Sequence, residues 1–435
     1  MKPIVAIVGR PNVGKSTLFN KIIGKKIAIV EDIPGLTRDR IYGEAEWSDR
    51  PFIVIDTGGF QPEPEGDIIE EVKKQAVAAV EEADIVLMMM DAKEGLMPSD
   101  AELSGMLRTY NKKILYVVNK IDGPRMEKAV YDFYSLGKDL FPVSAVSGFG
   151  FEELMDSIAE AMPEGGKEEQ VEYPRIAIIG RPNVGKSTFT NSLLGKQRMI
   201  VSPVPGTTRD SVDSICSYYR KKYLIVDTAG IRRKGKMAKS FERYSFIRTL
   251  RNIEICDIAL ILFDAKDGIV ELDQKIAGLV YEAGKAGIVL FNKWDLVDRT
   301  PAFQKKLENE FQNKLWFMNY TPVLTVSALQ RQRVTKIFPL IDEVVKESSK
   351  KISTKELNSF LRESVSIKQP DRHRGREVKL NYMTQVGIKP PRFVIFTNKK
   401  EAIKPFYIRF LGRRLREKFG FKGVPVRLFI RQKTR

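Results

Sequence analysis

The chain has 435 residues, of which 43% are apolar, and this length suits about three globular domains with ordinary cores. No apolar run approaches the roughly 20 residues that cross a bilayer, which argues against a membrane-spanning protein. The net charge is +18, and residues 351–435 hold 23 Lys and Arg against 6 Asp and Glu, so nearly all of the excess lies there. A polyanionic partner is therefore predicted for the C-terminal part of the chain.

Cysteine and histidine usage narrows the chemistry further. Cys216 and Cys256 lie in apolar contexts, which favours buried free thiols over a disulfide. The single histidine, His373, lies among arginines and is interpreted as a surface contact with phosphate or solvent, not as a catalyst. Because the N-terminus leads directly into the strand before a candidate site, no cleaved leader is expected. We predict a cytoplasmic monomer.

The first predicted strand, residues 4–8, leads through a glycine-rich loop into a predicted helix over residues 15–23. The loop reads Gly9, Arg10, Pro11, Asn12, Val13, Gly14, Lys15 and Ser16, and Thr17 follows it. This is the G-x-x-x-x-G-K-[ST] pattern in the strand–loop–helix context that it requires. Backbone N–H groups at the helix N-terminus then cradle an anion, Lys15 reaches the β- and γ-phosphates, and Ser16 ligates magnesium.

Further motifs follow the next predicted strands, at 52–55, 85–90, 114–118 and 141–143. They are Asp56, Thr57, Gly58 and Gly59, then Asn119, Lys120, Ile121 and Asp122, then Ser144 and Ala145. Asp-x-x-Gly places a carboxylate near magnesium and an N–H near the γ-phosphate, a contact that disappears on hydrolysis. Asp122 can accept hydrogen bonds from guanine N1–H and the exocyclic amine, whereas adenine offers a mismatched edge. A backbone N–H after Ser144 is expected to meet the guanine oxygen.

The same succession recurs later in the chain, offset by 171 residues at the loop and at Asp-x-x-Gly and by 173 residues at Asn-Lys-x-Asp, with strands predicted at 176–179, 223–226, 258–263, 288–291 and 321–325 and a helix at 186–194. The repeated motif residues are Gly180, Arg181, Pro182, Asn183, Val184, Gly185, Lys186, Ser187, Thr188, Asp227, Thr228, Ala229, Gly230, Asn292, Lys293, Trp294, Asp295, Ser327 and Ala328. A single Asp-x-x-Gly or Asn-Lys-x-Asp is often only a turn. Two complete sets in one order predict two guanine-nucleotide sites in a duplicated domain.

The spacing of the elements predicts an α/β protein. Strands alternate with helical stretches such as residues 68–83 and 100–110, which indicates mostly parallel sheets with helices on both faces. We predict a first domain over 1–162, an acidic flexible linker over 163–173, a second domain over 174–350 and a basic domain over 351–435. The last has predicted strands at 393–396 and 426–430 around a one-sided basic helix at 405–419.

With these motifs in place, the chain resembles the Der (EngA) family of double-Era-like GTPases over essentially its full length. Tandem P-loop G domains followed by a small KH-like α/β domain are typical of that family, and the repeated Pro-Gly-x-Thr-Arg-Asp at 34–39 and 205–210 strengthens the match. The resemblance implies that Thr37 and Thr208 close over magnesium. Thr207 is a neighbouring alternative, but its counterpart is Leu36. The family is implicated in assembly of the large ribosomal subunit, so ribosomal RNA is the expected partner.

Two departures bear on catalysis and geometry. Ras-like enzymes place a water-orienting glutamine after Asp-x-x-Gly, whereas this chain has Phe60 and Ile231, so slow hydrolysis is expected without further help. In the related TrmE-type GTPases, an asparagine that matches Asn12 and Asn183 helps to bind a potassium ion. Stimulation by K⁺ is the resulting hypothesis, and the alternatives are a purely turn-shaping asparagine or completion of the site by the ribosome. Near Arg331 a glycine would be expected.

The leading interpretation is a Mg²⁺-dependent GTPase whose two switches control how the basic domain engages ribosomal RNA. The rivals are an RNA-binding adaptor that barely hydrolyses GTP, a tRNA-modification GTPase, and recruitment to a membrane surface. The candidate RNA contacts share one helix and are Arg409, Arg413, Arg414, Arg416 and Lys418. Residues 420–423 read Gly-x-x-Gly but lie between a helix and a strand, so we predict a helix C-terminal turn there and not the usual KH clamp. The basic run at 231–236 is interpreted either as a solvated loop or as a nucleotide-dependent docking segment.

Overall fold

The protein is described from a computed structural model, in which residues 2–24, 42–57, 77, 79–81, 83–137, 139–163, 173–195, 201–204, 213–226, 241–372 and 377–432 are described. The chain divides into two compact units. The first contains residues 1–170 and 235–254, and the second contains residues 171–234 and 255–435.

The first unit is built on a six-stranded sheet with the order β2-β3-β1-β4-β5-β6. Its strands are β1 Ile4–Gly9, β2 Tyr42–Trp47, β3 Arg50–Asp56, β4 Ile85–Asp91, β5 Lys113–Asn119 and β6 Leu140–Pro142. Only β2 runs antiparallel to its neighbour among these strands. Every residue of β1 and β4 is buried, as expected for parallel strands covered on both faces.

Helices pack on both faces of this sheet and give two apolar layers. The helices are α1 Lys15–Ile23, α2 Pro98–Arg108 and α3 Phe151–Ala161, with a 3-10 helix over Pro124–Ser135. In α1 the buried residues are Lys15, Leu18, Phe19 and Ile22, spaced to form one face of a helix. The structure confirms the helix predicted over 15–23, and β1 is one residue longer than the strand predicted over 4–8.

The second unit contains a seven-stranded sheet with the order β13-β12-β11-β7-β10-β9-β8. Its strands are β7 Arg175–Ile179, β8 Val201–Val204, β9 Asp213–Tyr218, β10 Lys221–Ile225, β11 Ile258–Asp264, β12 Ala286–Asn292 and β13 Val323–Thr325. Along the described chain, the helices of this second G domain are α4 Lys186–Leu194, α5 Phe241–Ile255, α6 Glu271–Glu282, α7 Pro301–Lys314 and α8 Ile337–Ser348, and all of α5 except its last residue is grouped with the first unit. The core of five parallel strands repeats that of the first sheet.

The C-terminal domain is a small three-stranded sheet with two helices. Its elements are α9 Thr354–Ile367, β14 Leu380–Gly387, β15 Arg392–Thr397, α10 Pro405–Phe419 and β16 Arg427–Gln432. β15 pairs antiparallel with β14 and parallel with β16. Ser353 begins α9 with a capping box, because its hydroxyl accepts from the Glu356 N–H while the Glu356 carboxylate accepts from the Ser353 N–H.

The predicted α/β fold class is confirmed, including the tandem G domains and the small third domain. The proposed boundaries at 162, 174 and 351 remain predictions. Residues 164–172 of the expected linker and most of the helix expected over 68–83 lie outside the described residues. Cys216 and Cys256 are buried free thiols, as predicted, and burial raises the pKa of Cys216 to about 11. Within the described chain, none of the helices has the length and apolar character to cross a bilayer.

Candidate functional site

The two glycine-rich loops adopt the same backbone conformation. Asn12 and Asn183 have φ angles of 65° and 63°, and Gly14 and Gly185 have φ angles of 100° and 96°. A Cβ at Gly14 would lie 2.3 Å from Asn119 Nδ2, and one at Gly185 would lie 2.4 Å from Asn292 Nδ2. Glycine is therefore required at this point both by the left-handed backbone and by the close approach of the asparagine.

The loop lysines are held inside their own loops by carbonyl oxygens. Lys15 Nζ donates to Gly9 O at 2.9 Å and to Arg10 O at 2.6 Å, and Lys186 Nζ donates to Gly180 O and Arg181 O at 2.6 and 2.7 Å. Burial lowers the pKa of Lys15, with the Asp56 carboxylate acting in the opposite direction. Each ammonium thus lies at the end of β1 or β7, where the phosphates are expected.

Asn119 and Asn292 tie three loops together. In the first G domain, Asn119 Nδ2 donates to Val13 O at 2.8 Å, and the Ala145 N–H donates to Asn119 Oδ1 at 2.9 Å. Asn292 makes the equivalent bonds with the second copy of the loop, at the same two distances. Both amides are used internally, so these asparagines position the loops. The Ala145 and Ala328 N–H groups take part in these bonds, and the N–H contact to the guanine oxygen stays a prediction.

The aspartates predicted to recognise guanine lie beside these ties. Asp122 Oδ1 accepts a hydrogen bond from Ser144 Oγ at 2.7 Å. Asp295 Oδ1 is buried and has no hydrogen-bond partner among the described residues. A buried carboxylate oxygen without a donor is costly, so its presence fits a ligand that supplies an N–H. Lys120, Ile121, Lys293 and Trp294 lie in the same two turns, and the apolar members Ile121 and Trp294 are buried.

Sequence reasoning missed a second aspartate in each domain. Lys120 Nζ donates to Asp91, and Lys293 Nζ lies 2.6 Å from Asp264 Oδ2. Asp91 and Asp264 end β4 and β11 and are paired in register with Asn119 and Asn292. Their signal was the repeated Asp-Ala-Lys at 91–93 and 264–266, which shares the 173-residue offset. These carboxylates hold the lysine that lies two residues before the aspartate predicted to recognise guanine.

Replacing Asp91 with asparagine should weaken GTP binding at the first site by about 10-fold, since a charge-assisted hydrogen bond to Lys120 is lost. Asp264→Asn should do the same at the second site. Equilibrium binding of a fluorescent GTP analogue measures the change. Asp139→Asn is the matched control, because Asp139 pairs with Lys113 on the surface and that pair is about half exposed. Unchanged affinity in Asp91→Asn and Asp264→Asn would remove the positioning role.

Arg10 and Arg181, the second residues of the two loops, point to a neighbouring helix. Arg10 Nε donates to Asp100 Oδ1 at 2.8 Å and Arg10 Nη1 donates to Glu94 at 2.9 Å. Arg181 pairs with Asp267 at 2.5 Å and lies 3.4 Å from Asp273. Asp100 and Asp273 are fully buried, and each also accepts the N–H that begins its helix. These arginines therefore anchor the loops to the beginnings of α2 and α6.

Burial raises the pKa of Asp273 to about 6, opposed by the Val270 N–H and by Arg181. A carboxyl group whose pKa is raised on folding contributes stability that is complete below about pH 4 and is lost as the pH rises through about 6. Asp273→Asn removes this titration. The local stability of the variant relative to the parent should therefore rise by up to about 3 kcal/mol between pH 4 and pH 7. Hydrogen exchange of the α6 amides, corrected for intrinsic rates, measures this. Parallel pH profiles for parent and variant would contradict the expectation.

The hydroxyl and carboxylate groups predicted to hold magnesium are adjacent in the first domain. Ser16 Oγ donates to Asp56 Oδ2 at 2.6 Å, and Thr57 Oγ1 donates to Ile7 O. In the second domain, Ser187 Oγ is buried without a hydrogen-bond partner among the described residues. A hard-oxygen pair and an orphaned hydroxyl both fit a Mg²⁺ ion. Thr17 and Thr188 follow on α1 and α4.

Several predicted site residues lie outside the described residues. They are Thr37, Gly58, Gly59, Thr208, Asp227, Thr228, Ala229 and Gly230. Phe60, Ile231, His373 and the basic run at 231–236 also lie there. The missing glycine near Arg331 does have a visible consequence. Arg331 has a φ angle of 56°, the same left-handed region as its counterpart Gly148 at 94°.

The candidate RNA contacts of α10 have different surroundings. Arg413 is 83% exposed and shares the Glu417 carboxylate with Arg414, and Lys418 pairs with Glu363 at 2.6 Å. Arg409 is exposed and also has an interaction within the protein. Arg416 differs, because Nη1 donates to Phe421 O and Nη2 to Val424 O, both at 2.7 Å.

The position of Arg416 argues against an RNA contact. Its guanidinium lies 4.1 Å from the centroid of the Tyr320 ring, which belongs to the second G domain. Burial lowers the pKa of Arg416, opposed by the Tyr320 and Tyr281 hydroxyls. All of these contacts are internal, so the prediction for Arg416 is corrected: the residue joins α10 to the second G domain.

The Gly-x-x-Gly segment at 420–423 is a helix C-terminal turn, as predicted. Gly420 ends α10 with a φ angle of 88°, and its N–H donates to Arg416 O. The turn is fixed to the second G domain, because the Gly423 N–H donates to Tyr320 O and the Gly287 N–H donates to Gly423 O, each at 2.8 Å. The Phe421 N–H also donates to Glu347. This segment is therefore occupied by protein contacts and cannot clamp a nucleic-acid backbone as it stands.

Replacing Gly423 with alanine should destabilise the second unit by about 2–3 kcal/mol. The new Cβ would lie 2.4 Å from Val344 Cγ2, on a backbone with a φ angle of 74°. Urea unfolding followed by fluorescence of the three tryptophans measures the loss. Gly412→Ala is the control, because its Cβ would make only an ordinary contact with Leu428 at 3.7 Å within α10. Equal midpoints for the two variants would contradict the geometry.

Comparison with known proteins gives matches along the whole chain. A family described as 50S ribosome-binding GTPase matches residues 4–120 and 175–293, and the KH-domain-like family of EngA bacterial GTPase enzymes matches residues 351–431. GTPase Der of Thermodesulfovibrio yellowstonii is 49% identical, covering 99% of each chain. GTPase Der of Trichlorobacter lovleyi is 46% identical over 100% of this chain and 97% of its own. GTPase Der of Caldanaerobacter subterraneus is 48% identical over 98% and 97%.

These full-length matches agree with the two sets of nucleotide-site residues and with the small third domain. Two G domains that bind guanine nucleotides and hydrolyse GTP account for the duplicated loops, lysines and aspartates described above. The chain belongs to the Der (EngA) family of GTPases.

Proposed function

We propose that the chain is a ribosome assembly factor in which two GTP-dependent switches control engagement of the large ribosomal subunit, or its precursor, by the basic C-terminal domain. The observation that carries this proposal is the charge distribution, a net of +17 in residues 351–435 on a chain that is otherwise nearly neutral. Phosphate neutralisation by Lys and Arg dominates affinity for nucleic acids. The description of the matching family as 50S ribosome-binding supports the same partner.

The magnesium sites would be formed by Ser16, Thr37 and Asp56 in the first domain and by Ser187, Thr208 and Asp227 in the second. When bound there, Mg²⁺ would supply positive charge that offsets the negative charge developing on the phosphates during phosphoryl transfer. The residues of the chain supply the rest. Lys15 and Lys186 bind the phosphates, the loop N–H groups hold them in place, and Asp122 and Asp295 orient the nucleotide through its base.

Hydrolysis without a water-orienting glutamine requires another source of positive charge or positioning. We propose K⁺ held with the help of Asn12 and Asn183, whose side chains are exposed at left-handed positions of the loops. Turnover should then be faster in K⁺ than in Na⁺, and Asn12→Ala with Asn183→Ala should abolish the difference. Equal rates in both salts would leave a turn-shaping role for the asparagines. Stimulation only by ribosomal subunits would assign the missing contribution to that partner.

Co-sedimentation with purified ribosomal subunits tests the proposed function. The chain is loaded with GDP or with a non-hydrolysable GTP analogue at two salt concentrations. Selective, salt-sensitive binding to the large subunit with the GTP analogue is the expected result. Binding that ignores both nucleotide and subunit would reduce the C-terminal domain to a general polyanion anchor. We also propose that the chain is a cytoplasmic monomer. Light scattering of the purified chain measures its molar mass in solution and so tests the monomeric state.

A further inference from the structure

The C-terminal sheet has two faces of different character. Met383, Phe393 and Ile395 point to α9 and α10 and form the core of the domain. The alternate residues of the three strands lie on the opposite side, here called the outer sheet face. It consists of Tyr382 and Thr384 on β14, Arg392, Val394 and Phe396 on β15, and Arg427, Phe429 and Arg431 on β16, in paired register.

Aromatic rings are exposed on this outer sheet face. Tyr382 is 38% exposed and Phe429 is 47% exposed. The Tyr382 ring stacks on Phe396 with centroids 4.4 Å apart and planes 11° from parallel, so one surface of the Tyr382 ring is supported. Large apolar rings held on a rigid sheet with solvent before them are a feature of surfaces that receive planar ligands.

Cationic groups flank these rings. Arg392 and Arg431 are exposed, and neither has a carboxylate within ion-pair distance among the residues that the structure describes. By contrast, Arg413, Arg414 and Lys418 on α10 share carboxylates of the same domain. Arg427 stacks on the Tyr281 ring at 4.7 Å and so marks the end of the face nearest the second G domain. The combination of open rings and uncompensated arginines favours a polyanion with planar bases over an apolar partner.

The Gly-x-x-Gly segment of this domain, residues 420–423, is a helix C-terminal turn bonded to Tyr320, Gly287 and Glu347, so it does not serve as a KH clamp. We propose that the outer sheet face is instead a stacking platform for unpaired bases of a single-stranded RNA segment. The inference rests on the proposed ribosomal function and deepens it, because it names the RNA class and the surface. Unpaired bases are required, because paired bases do not offer their faces to side chains.

The dimensions of the face suit a short segment. Tyr382 on β14 and Phe429 on β16 are separated by two strand spacings and by two residues along the strand, about 12 Å in all. At about 3.4 Å per nucleotide of a stacked strand, roughly three to four nucleotides cover that distance. One base would stack on the open side of Tyr382 and another on Phe429. Arg431, two residues beyond Phe429 on β16 and in register with Phe396, would contact phosphate.

Fluorescence anisotropy of the full chain with a labelled ten-uridine RNA tests the platform. Tyr382→Ser and Phe429→Ser should each weaken binding by about 10-fold to 100-fold, whereas Tyr382→Phe and Phe429→Tyr should retain it. Arg431→Gln should lower the slope of log affinity against log salt by about 1. Phe406→Ser is the matched control, because Phe406 is a similarly exposed ring, 36% accessible, on α10 of the same domain. A blunt RNA duplex should bind with no dependence on Tyr382 or Phe429.

The same variants are sedimented with ribosomal subunits, which separates this inference from the proposed function. If the parent binds large subunits but Tyr382→Ser and Phe429→Ser leave the affinity for the ten-uridine RNA unchanged, the platform is wrong and the ribosomal function stands. If the variants lose subunits yet keep this RNA, the face contacts protein and the inference is also overturned. If the parent binds neither subunits nor RNA, the proposed function itself fails.

Discussion

Asp122→Asn should change the specificity of the first site from GTP to xanthosine triphosphate, with a loss of GTP affinity on the order of 10³-fold. The Asp122 carboxylate can accept from both guanine N–H groups, because Ser144 Oγ holds its Oδ1 from the other side at 2.7 Å. An asparagine presents an N–H donor to those guanine donors. Xanthine carries an oxygen in place of the exocyclic amine and accepts that donor instead.

Asp295→Asn should have the same effect at the second site, where Asp295 Oδ1 is buried without a partner among the described residues. Competition of GTP and xanthosine triphosphate against a fluorescent nucleotide measures both variants. Asp132→Asn and Asp298→Asn serve as controls, since both carboxylates are exposed beyond the motifs. If Asp122→Asn and Asp295→Asn lose all nucleotides equally, the aspartates support the loops and do not read the base.

Lys15→Ala should lower GTP affinity at the first site on the order of 10²- to 10³-fold, because charge-assisted contacts to two phosphates are lost. Lys15 is buried, and its ammonium donates to the carbonyls of Gly9 and Arg10, which holds it at the predicted phosphate position. Lys186→Ala should act equally at the second site. The two single variants should each bind one GTP per chain where the parent binds two.

Calorimetric titration of GTP gives that stoichiometry directly. The controls are Lys113→Ala and Lys275→Ala, which remove surface lysines paired with Asp139 and Glu271. Each control should bind two nucleotides. A parent stoichiometry of one, or loss of both sites in either Lys15→Ala or Lys186→Ala, would contradict two independent sites.

The loops were predictable because their chemistry is local. A strand, a glycine-rich turn and a helix lie next to each other in sequence, and the helix bounds at 15–23, 186–194 and 405–419 were confirmed at both ends. The roles of Asp91 and Asp264 were not found, because their lysine partners lie 29 residues away and meet them only across parallel strands. The duplicated Asp-Ala-Lys was a usable signal for both.

The basic helix α10 shows what sequence reasoning could not predict, namely which of its cations are used inside the protein. Charge spacing placed Arg413, Arg414 and Arg416 together, yet only the fold reveals that Arg416 bonds two carbonyls and stacks on Tyr320. The aromatic outer sheet face was also overlooked, because β14 was not predicted as a strand and the alternation of its side chains had no assigned face. Tertiary neighbours decide which cations are internal, and composition cannot report them.

The Asp122→Asn variant, whose first site is expected to bind xanthine nucleotides, permits the most direct measurement of how nucleotides control ribosome binding. Asp122→Asn is loaded with xanthosine diphosphate or a non-hydrolysable xanthosine triphosphate analogue at the first site, and with GDP or a GTP analogue at the second. Each of the four states is sedimented with purified large ribosomal subunits at two salt concentrations. We expect salt-sensitive binding that depends on the triphosphate state of at least one site. Identical sedimentation of all four states would contradict nucleotide-controlled engagement.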